Sequence, residues 1–211
     1  MHKPDLTQLD CDTIQARLAE ERSDDRLALR EGPWLRGGSP RRAAVLLPLY
    51  QRQGEWHLLF IRRAEHESDY HSGQVGFPGG GHEPGDASCT ETALREAREE
   101  IGLDPGKVRL LGELPPFHTV SGFLVTPVVG CIPWPQPLHP DAREVARIFS
   151  IPLAWLALPG NHRVRPYPHE DHPEVRELVF FERYDGELLW GVSGRITLNL
   201  LHSLRLLGRG R

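Results

Sequence analysis

Apolar positions along the chain form short runs that predict a set of strands with helices before, between and after them. Runs rich in β-branched and aromatic residues predict strands over residues 42–50, 56–62, 74–77, 108–114, 123–132 and 146–151. Helical periodicity predicts helices over 7–22, 153–158 and 195–207, and a further helix between Ser88 and Gly102. Strands on both sides of an embedded helix, with a closing helix, favour an α/β fold in which a mixed sheet lies between helices.

The pattern divides the chain into two predicted regions. Residues 1–40 are predicted to form an amphipathic helix and a polar linker, and residues 41–211 a single domain. Near the end of the chain, strands over 175–183 and 187–190 flank Asp185-Gly186, a strong signal for a type I′ hairpin turn. Ser193 is predicted to cap the last helix and Gly208 to end it.

Composition narrows the possible partners and the compartment. The net charge of −4 argues against nucleic acid or an anionic membrane as the main partner, and we expect a small-molecule substrate instead. Cys11, Cys89 and Cys131 show no C-x-x-C pairing, and no apolar run reaches the length of a membrane span, so we expect a reducing, cytoplasmic environment. His169 and His172 have metal-ligand spacing, but they have no cysteine partners and are not interpreted as a zinc site. The oligomeric state is left open.

The predicted helix between Ser88 and Gly102 carries an acidic face. Glu96, Glu99 and Glu100 share one side of it through their i, i+3 and i+4 spacing. Like charges at this spacing each weaken a helix by about 0.2–0.5 kcal/mol per pair, and a divalent cation would reverse that penalty. The simpler interpretation is a solvated charged face, which is the commoner fate of such a run.

Two neighbouring features favour chemistry over solvation. Five glycines between Gly76 and Gly85 precede the helix, and backbone without side chains can approach a phosphate closely. Arg95 stands beside the carboxylates. Together the pattern resembles the Nudix box, matched by Gly81, Arg95, Glu96, Glu99, Glu100, Gly102 and Leu103. Two positions depart from it: Ala87, with Asp86 beside it, stands where the box has its first Glu, and the small Ala97 stands at an aliphatic position.

The segment before the box resembles one branch of that family. Residues 73–80 read G-Q-V-G-F-P-G-G, which is similar to the signature of Nudix coenzyme A pyrophosphatases. Residues 114–116, 120–122 and 125–130 also match the branch, whereas residues 62–70 lack its usual Leu-Arg pair. The resemblance implies a Nudix-type α/β/α sandwich with a mixed sheet. It also implies metal-dependent cleavage of the coenzyme A pyrophosphate to 3′,5′-ADP and 4′-phosphopantetheine.

Roles for the box residues follow from the resemblance and from the chemistry of the bond. Mg²⁺ or Mn²⁺ is expected on Glu96 and Glu100, with Glu99 and the carbonyl of Gly80 or Gly81 as further ligands. Either Glu99 or the loop acid Glu144 would act as general base. Arg95 would position a carboxylate. For Glu144, an ordinary exposed loop acid is the alternative interpretation.

Substrate contacts are expected from residues around the glycine segment. Arg62 and Arg63 are candidates for the 3′-phosphate of coenzyme A, and Gln74 and Phe77 belong to the signature itself. Prolines and aromatic residues are candidates for a groove holding the pantetheine arm, namely Pro115, Phe117 and Phe123. Other readings remain open: hydrolysis of ADP-ribose or dinucleotide polyphosphates, or a non-catalytic nucleotide-sensing module.

Overall fold

The computed structural model describes residue 6 and residues 8–21, 40–65, 73–167 and 177–207. Its helices are α1 (Cys11–Glu21), α2 (Cys89–Ile101), α3 (Leu153–Leu156) and α4 (Gly191–Ser203), with a short 3₁₀ turn at Pro105–Lys107. Its strands are β1 (Arg41–Arg52), β2 (Glu55–Arg63), β3 (Val75–Gly76), β4 (Gly79–Gly81), β5 (Arg109–Glu113), β6 (Phe117–His118), β7 (Phe123–Cys131), β8 (Val145–Pro152), β9 (His162–Pro166) and β10 (Glu177–Phe181). None of the helices in these ranges is long and apolar enough to cross a membrane.

A mixed sheet forms the centre of the fold. Five strands follow the order β3-β2-β1-β7-β5, while β4 pairs with β1, β6 with β7 and β8 with β2. Strands β1 and β7 run parallel, with Arg41 opposite Phe123 and Leu49 opposite Cys131, and the other pairs in this sheet are antiparallel. Strands β9 and β10 form a separate antiparallel pair. Alternate side chains of β1 and β2 therefore face opposite sides of the sheet.

Each face of the sheet carries its own hydrophobic core. One core joins the sheet to α1, α3 and α4, and the other joins it to α2. Along β2, Phe60 lies in the first core and Ile61 in the second, as the pleat requires. The arrangement confirms the predicted α/β fold with a mixed sheet between helices.

Helix α2 begins and ends where the sequence predicts. The Ser88 hydroxyl accepts a hydrogen bond from the Glu91 N–H at 3.1 Å, which satisfies one of the free donors of the first turn. Gly102 adopts the left-handed conformation, with φ of 66°, and its N–H donates to the carbonyls of the last turn. Ala93, Ala97 and other small or aliphatic residues face the sheet, and Glu100 is the one buried acid of α2.

Helix α1 packs into the first core rather than standing apart from it. Leu18 contacts Gly112 of β5, where a Cβ would lie 3.3 Å from the Leu18 Cβ. The indole N–H of Trp56 donates to the Leu9 carbonyl at 2.7 Å, and Arg17 donates to the Leu204 carbonyl at 2.6 Å. The N-terminal helix thus shares its core with the sheet of residues 41–211. The end of the predicted helix at residue 22 and the predicted linker up to residue 39 lie outside the described residues.

The C-terminal part differs from the prediction in several details. Asp185 and Gly186 have φ of 50° and 81°, as the predicted turn requires. Residues 187–190 make isolated bridges instead of a full strand, and β10 pairs with β9, which the pattern did not predict. Helix α4 begins at Gly191, so Ser193 lies inside its first turn and does not cap it. Gly208, His169 and His172 lie outside the described residues.

Candidate active site

The glycine segment, residues 73–81, joins the sheet through β3 and β4, which lie before and after a bend. Strand β3 pairs with β2, and β4 pairs with β1, with Ala44 opposite Gly80. This pairing brings the backbone of the segment against the acidic face of α2. The Gly79 N–H donates to the Glu100 carboxylate at 2.9 Å. A Cβ on Gly80 would lie 2.5 Å from Oε1 of Glu96, so only glycine fits there without moving that carboxylate.

Glu100 is the most deeply buried of the three box carboxylates. The residue is 2% exposed, and this burial raises its pKa to about 7, although the Gly79 N–H and the nearby Arg63 guanidinium oppose the rise. The Arg63 Nη1 lies 3.8 Å from Oε1 of Glu100. A negative charge at this position is therefore poorly stabilised by the protein alone.

Glu96 and Glu99 sit progressively nearer to solvent. Burial raises the pKa of Glu96, while its contact with Arg95 at 3.0 Å opposes that rise. The Glu99 side chain is 50% exposed and accepts a hydrogen bond from Arg95 at 3.1 Å. The three carboxylates thus form a gradient from a buried to a solvent-accessible group along one side of α2.

Arg95 connects the acidic face to the loop before the helix. Its guanidinium donates to both oxygens of Asp86, at 3.0 and 3.1 Å, and to the carbonyl of Gly81 at 3.0 Å. The paired guanidinium holds the pKa of Asp86 well below its usual range. In the sequence Asp86 stands out only as the neighbour of Ala87, and no role for it was predicted. A short acidic side chain beside a missing motif acid was the signal that pointed to it.

Glu144 comes to the site through the loop before β8. The Asp141 N–H donates to the carbonyl of Glu100 and the Glu144 N–H to the carbonyl of Asp141, each at 2.9 Å. The Ala64 N–H in turn donates to the carbonyl of Glu144 at 2.8 Å. The Glu144 side chain is exposed, and its charge contributes to the raised pKa of both Glu96 and Glu100. The fold therefore brings this loop acid within electrostatic range of the box carboxylates.

Arg62 and Arg63 lie on opposite faces of β2. Arg63 points toward Glu100, whereas the Arg62 Nη1 lies 3.7 Å from Glu187. Arg62 lines a pocket of about 280 Å³ together with Gln74, Arg183, Trp190 and other residues near the 185–186 turn. The two arginines, expected to act together, therefore face two different environments.

The aromatic and proline residues expected to contact the substrate also lie in different parts of the fold. Phe77 is 5% exposed and packs in the first core, with its ring centroid 4.9 Å from that of Phe60. Its ring is therefore buried in the core, in contrast to the substrate contact expected from the sequence. Pro115, Phe117 and Phe123 are half-buried near β6 and β7, and the Arg41 guanidinium lies 4.0 Å above the Phe123 ring. These three do not line the pocket that contains Arg62.

Glu96, Glu99 and Glu100 offer the oxygen ligands that a hard divalent cation prefers, but their carboxylates do not point to one common position. Within the described ranges, no three His, Cys, Asp or Glu side chains meet at one point in a way that could hold a metal. Glu100 faces the Gly79 N–H and Glu96 faces Arg95. Oxygen donors with raised pKa, beside a glycine that leaves the Glu96 carboxylate room, are a suitable set for Mg²⁺ or Mn²⁺. Of the two expected carbonyl ligands, that of Gly81 accepts from Arg95, and Gly80 is paired with Ala44 in the ladder between β4 and β1.

Comparison with known proteins agrees with the geometry. The family profile of the NUDIX domain matches residues 40–197. The chain is 39% identical over 168 residues to the uncharacterized Nudix hydrolase NudL of Yersinia pestis (strain Pestoides F), covering 79% of this chain and 81% of that protein. The same values hold for NudL of Yersinia pseudotuberculosis serotype O:1b (strain IP 31758).

Solved structures support the fold independently. The crystal structure of a MutT/nudix family protein from Enterococcus faecalis aligns with a TM-score of 0.54 at 17% identity, covering 92% of this chain and 73% of that one. At this identity the likeness concerns the fold alone. The profile match across most of the chain, the identity to NudL and the acidic helix beside the glycine segment lead to one conclusion: the chain belongs to the Nudix hydrolase family.

Proposed function

We propose that this protein hydrolyses the pyrophosphate bond of coenzyme A, giving 3′,5′-ADP and 4′-phosphopantetheine, with Mg²⁺ or Mn²⁺ as cofactor. The observation that carries the proposal is the contact between the signature segment and the acidic helix. Gly79 of the G-Q-V-G-F-P-G-G segment donates to Glu100, and Gly80 lies against Glu96. The residues that mark the coenzyme A branch are thus part of the same constellation as the residues of the box.

Glu96 and Glu100 are the proposed main ligands of the cation, with Glu99 and the carbonyl of Gly80 or Gly81 as further candidates. Burial of the first two makes their ionised forms unfavourable, and a bound cation would relieve this. When bound, Mg²⁺ or Mn²⁺ neutralises phosphate oxygens and makes a coordinated water more acidic. Arg95 donates hydrogen bonds to Glu96 and Glu99, whereas Glu100 accepts one from the Gly79 N–H.

Two residues are proposed as alternatives for the general base. Glu99 is half-exposed, and its hydrogen bond to Arg95 limits its freedom. The Glu144 side chain is exposed, and both its backbone N–H and its carbonyl are hydrogen-bonded. A base must accept a proton from water in the substrate complex, so a charged, accessible carboxylate is required. Both residues meet that requirement.

The substrate contacts divide between two faces of β2. Arg63, beside Glu100, is suited to the bridging pyrophosphate, which must lie near the carboxylates. Arg62 lines the neighbouring pocket with Arg183 and Trp190, which offer a second cation and an aromatic face, while Glu65 and Glu187 also line it and Glu187 lies 3.7 Å from Arg62. We therefore assign the 3′-phosphate of coenzyme A to Arg62 rather than to both arginines.

The test is a substrate panel with product identification. Coenzyme A, 3′-dephospho-coenzyme A, ADP-ribose, NADH and diadenosine polyphosphates are each incubated with Mg²⁺ or Mn²⁺, and the products are separated by chromatography. The proposal expects the highest kcat/KM for coenzyme A and release of 3′,5′-ADP. A preference for ADP-ribose or a diadenosine polyphosphate would reject the coenzyme A assignment but keep the reaction type. Absence of turnover with every compound would favour a nucleotide-sensing module.

A further inference from the structure

The turn between β4 and α2 holds one acidic side chain in a more complete set of contacts than any box carboxylate has. Asp86 accepts from Nε of Arg95 through Oδ1 and from Nη2 through Oδ2. Its Oδ2 also accepts from the Glu83 N–H at 3.0 Å and from the Thr92 hydroxyl at 2.9 Å. The Asp86 side chain is only 6% exposed. Such a side chain has one available conformation, and its partner guanidinium is held in a fixed plane.

Ala87 stands next to Asp86, at the position where the Nudix box has its first glutamate, and its methyl group cannot accept a hydrogen bond from Arg95. Ala87 is exposed and has no polar side chain, and its N–H donates to the Glu91 carboxylate at 2.7 Å. That contact belongs to the capping of α2, because Glu91 also occupies the third position after the Ser88 cap. The acid that contacts Arg95 is therefore supplied from one residue earlier along the chain.

Because Asp86 holds the Arg95 guanidinium in one orientation, it determines which groups the other N–H donors of Arg95 can contact. With Nε and one N–H of Nη2 committed to Asp86, Nη2 also donates to the Gly81 carbonyl and Nη1 is shared between Glu96 and Glu99. A guanidinium released from Asp86 would have four donors free for the same two carboxylates. It could then pair with both oxygens of Glu96 through two N–H groups, where it now donates one, and it would compete more strongly with any cation that the carboxylates bind.

We propose that Asp86 is a positioning residue that acts through Arg95, limiting the guanidinium to single hydrogen bonds from Nη1 to Glu96 and to Glu99. The inference rests on the proposed hydrolytic function but not on coenzyme A as the substrate. Asp86 takes the place of the absent acid at Ala87, and it lies at the end of a hydrogen-bonded turn over residues 83–86.

The experiment is a double-mutant cycle with two readouts. Asp86→Ala, Arg95→Ala and the double variant are compared with the parent protein for Mn²⁺ affinity by titration calorimetry and for kcat and KM on the best substrate of the panel. Asp86→Ala is expected to lower kcat and to weaken Mn²⁺ binding, each by about 10- to 100-fold, as loss of an outer-shell partner does, while KM changes by less than about threefold. The double variant should be no worse than Arg95→Ala, because both changes act through one group.

Glu83→Ala is the matched control. Its side chain is 67% exposed and lies 3.9 Å from Nη1 of Arg95, so the variant removes a negative charge near the same guanidinium without removing a hydrogen bond. It should stay within about twofold of the parent in both readouts, as exposed ion pairs contribute little. Thr92→Val serves as a milder second variant if Asp86→Ala does not fold: it removes one donor to Oδ2 and should shift Mn²⁺ affinity in the same direction by a smaller factor.

Two results overturn the inference. One is an Asp86→Ala variant that folds and retains both kcat and Mn²⁺ affinity within about twofold. The other is a double variant whose losses equal the product of the single losses, since independent effects multiply. Failure of the hydrolytic function would be seen separately, as absence of turnover by the parent, and the Mn²⁺ titrations would still decide whether Asp86 and Arg95 are coupled.

Discussion

Glu100→Gln exchanges a buried carboxylate for a neutral amide of nearly the same shape. The carbonyl oxygen of the new side chain can still accept the Gly79 N–H, and the weak contact with Arg63 at 3.8 Å is the main favourable interaction lost. Burial raises the Glu100 pKa from its ordinary value of 4.5 to about 7. In metal-free protein the ionised group therefore opposes folding, and its removal should stabilise the chain.

The size and the pH range of this effect follow from linkage. A pKa raised in the folded state means that the native protein binds the proton more tightly, so stability falls as the pH rises from about 4.5 through about 7. At about 1.4 kcal/mol per pH unit, the full penalty at pH 8 is about 3 kcal/mol as an upper limit, and less than about 1 kcal/mol remains at pH 5. Glu100→Gln should lack this loss and exceed the parent in stability at pH 8.

The assay is urea unfolding in EDTA at pH 5 and pH 8, followed by the fluorescence of the five tryptophans. Glu55→Gln, an exposed acid at the start of β2, is the control for the loss of one negative charge. Added Mn²⁺ should raise the unfolding midpoint of the parent but not of Glu100→Gln, because a ligand stabilises only the state that binds it. The kcat of the variant should fall by several orders of magnitude.

Three results would refute this reasoning. A Glu100→Gln variant less stable than the parent at pH 8 would mean that the buried charge is compensated in the fold. A pH dependence unchanged by the substitution would assign the titration to another group. Turnover within about tenfold of the parent would remove Glu100 from the proposed metal site.

Three further predictions test the proposed site. Glu144→Gln should lower kcat with little change in KM if Glu144 is the general base, and a parental rate, measured by initial velocities, would assign that role to Glu99. Arg62→Ala should reduce the ratio of kcat/KM for coenzyme A over 3′-dephospho-coenzyme A by about tenfold or more, whereas Arg63→Ala should lower both values and leave the ratio unchanged; equal behaviour of the two variants would contradict the division between faces. Gly80→Ala places a Cβ 2.5 Å from Glu96 and should lower Mn²⁺ affinity and kcat with a small change in melting temperature, while Gly85→Ala, which meets open space, should match the parent in both measurements.

Local sequence signals determined the elements of the site correctly. The Ser88 cap and the left-handed Gly102 bound α2 as predicted, whereas of the three acids predicted to share one face, Glu100 is buried. The two caps and the spacing of the acids depend on contacts within one helix, where positions a few residues apart have a fixed angular relation. The mixed sheet between helices was predicted for a similar reason, since strand and helix periodicities are local properties of the chain.

The sequence predicted less well wherever a short segment needed a distant partner. Strand β4 has only glycines and becomes a strand because β1 offers it a free edge. Strand β9 is mostly exposed and shows no apolar alternation, and it exists through its pairing with β10. Phe77 was assigned to the substrate, but its ring turns into the core because the preceding β3 pairs with β2.

What only the tertiary structure decided is how the chemical groups meet. The charge of Glu144 reaches Glu96 and Glu100 because the loop before β8 is bonded to the end of α2 and to Ala64. Arg62 and Arg63 are adjacent in sequence, yet the pleat of β2 sends them to opposite faces. The sequence alone identified the reactive residue types and their order, because spacing along a helix is local. The partners of these residues and the raised pKa of Glu100 depend on the register of the sheet and on burial, because both bring together segments that are far apart in the chain.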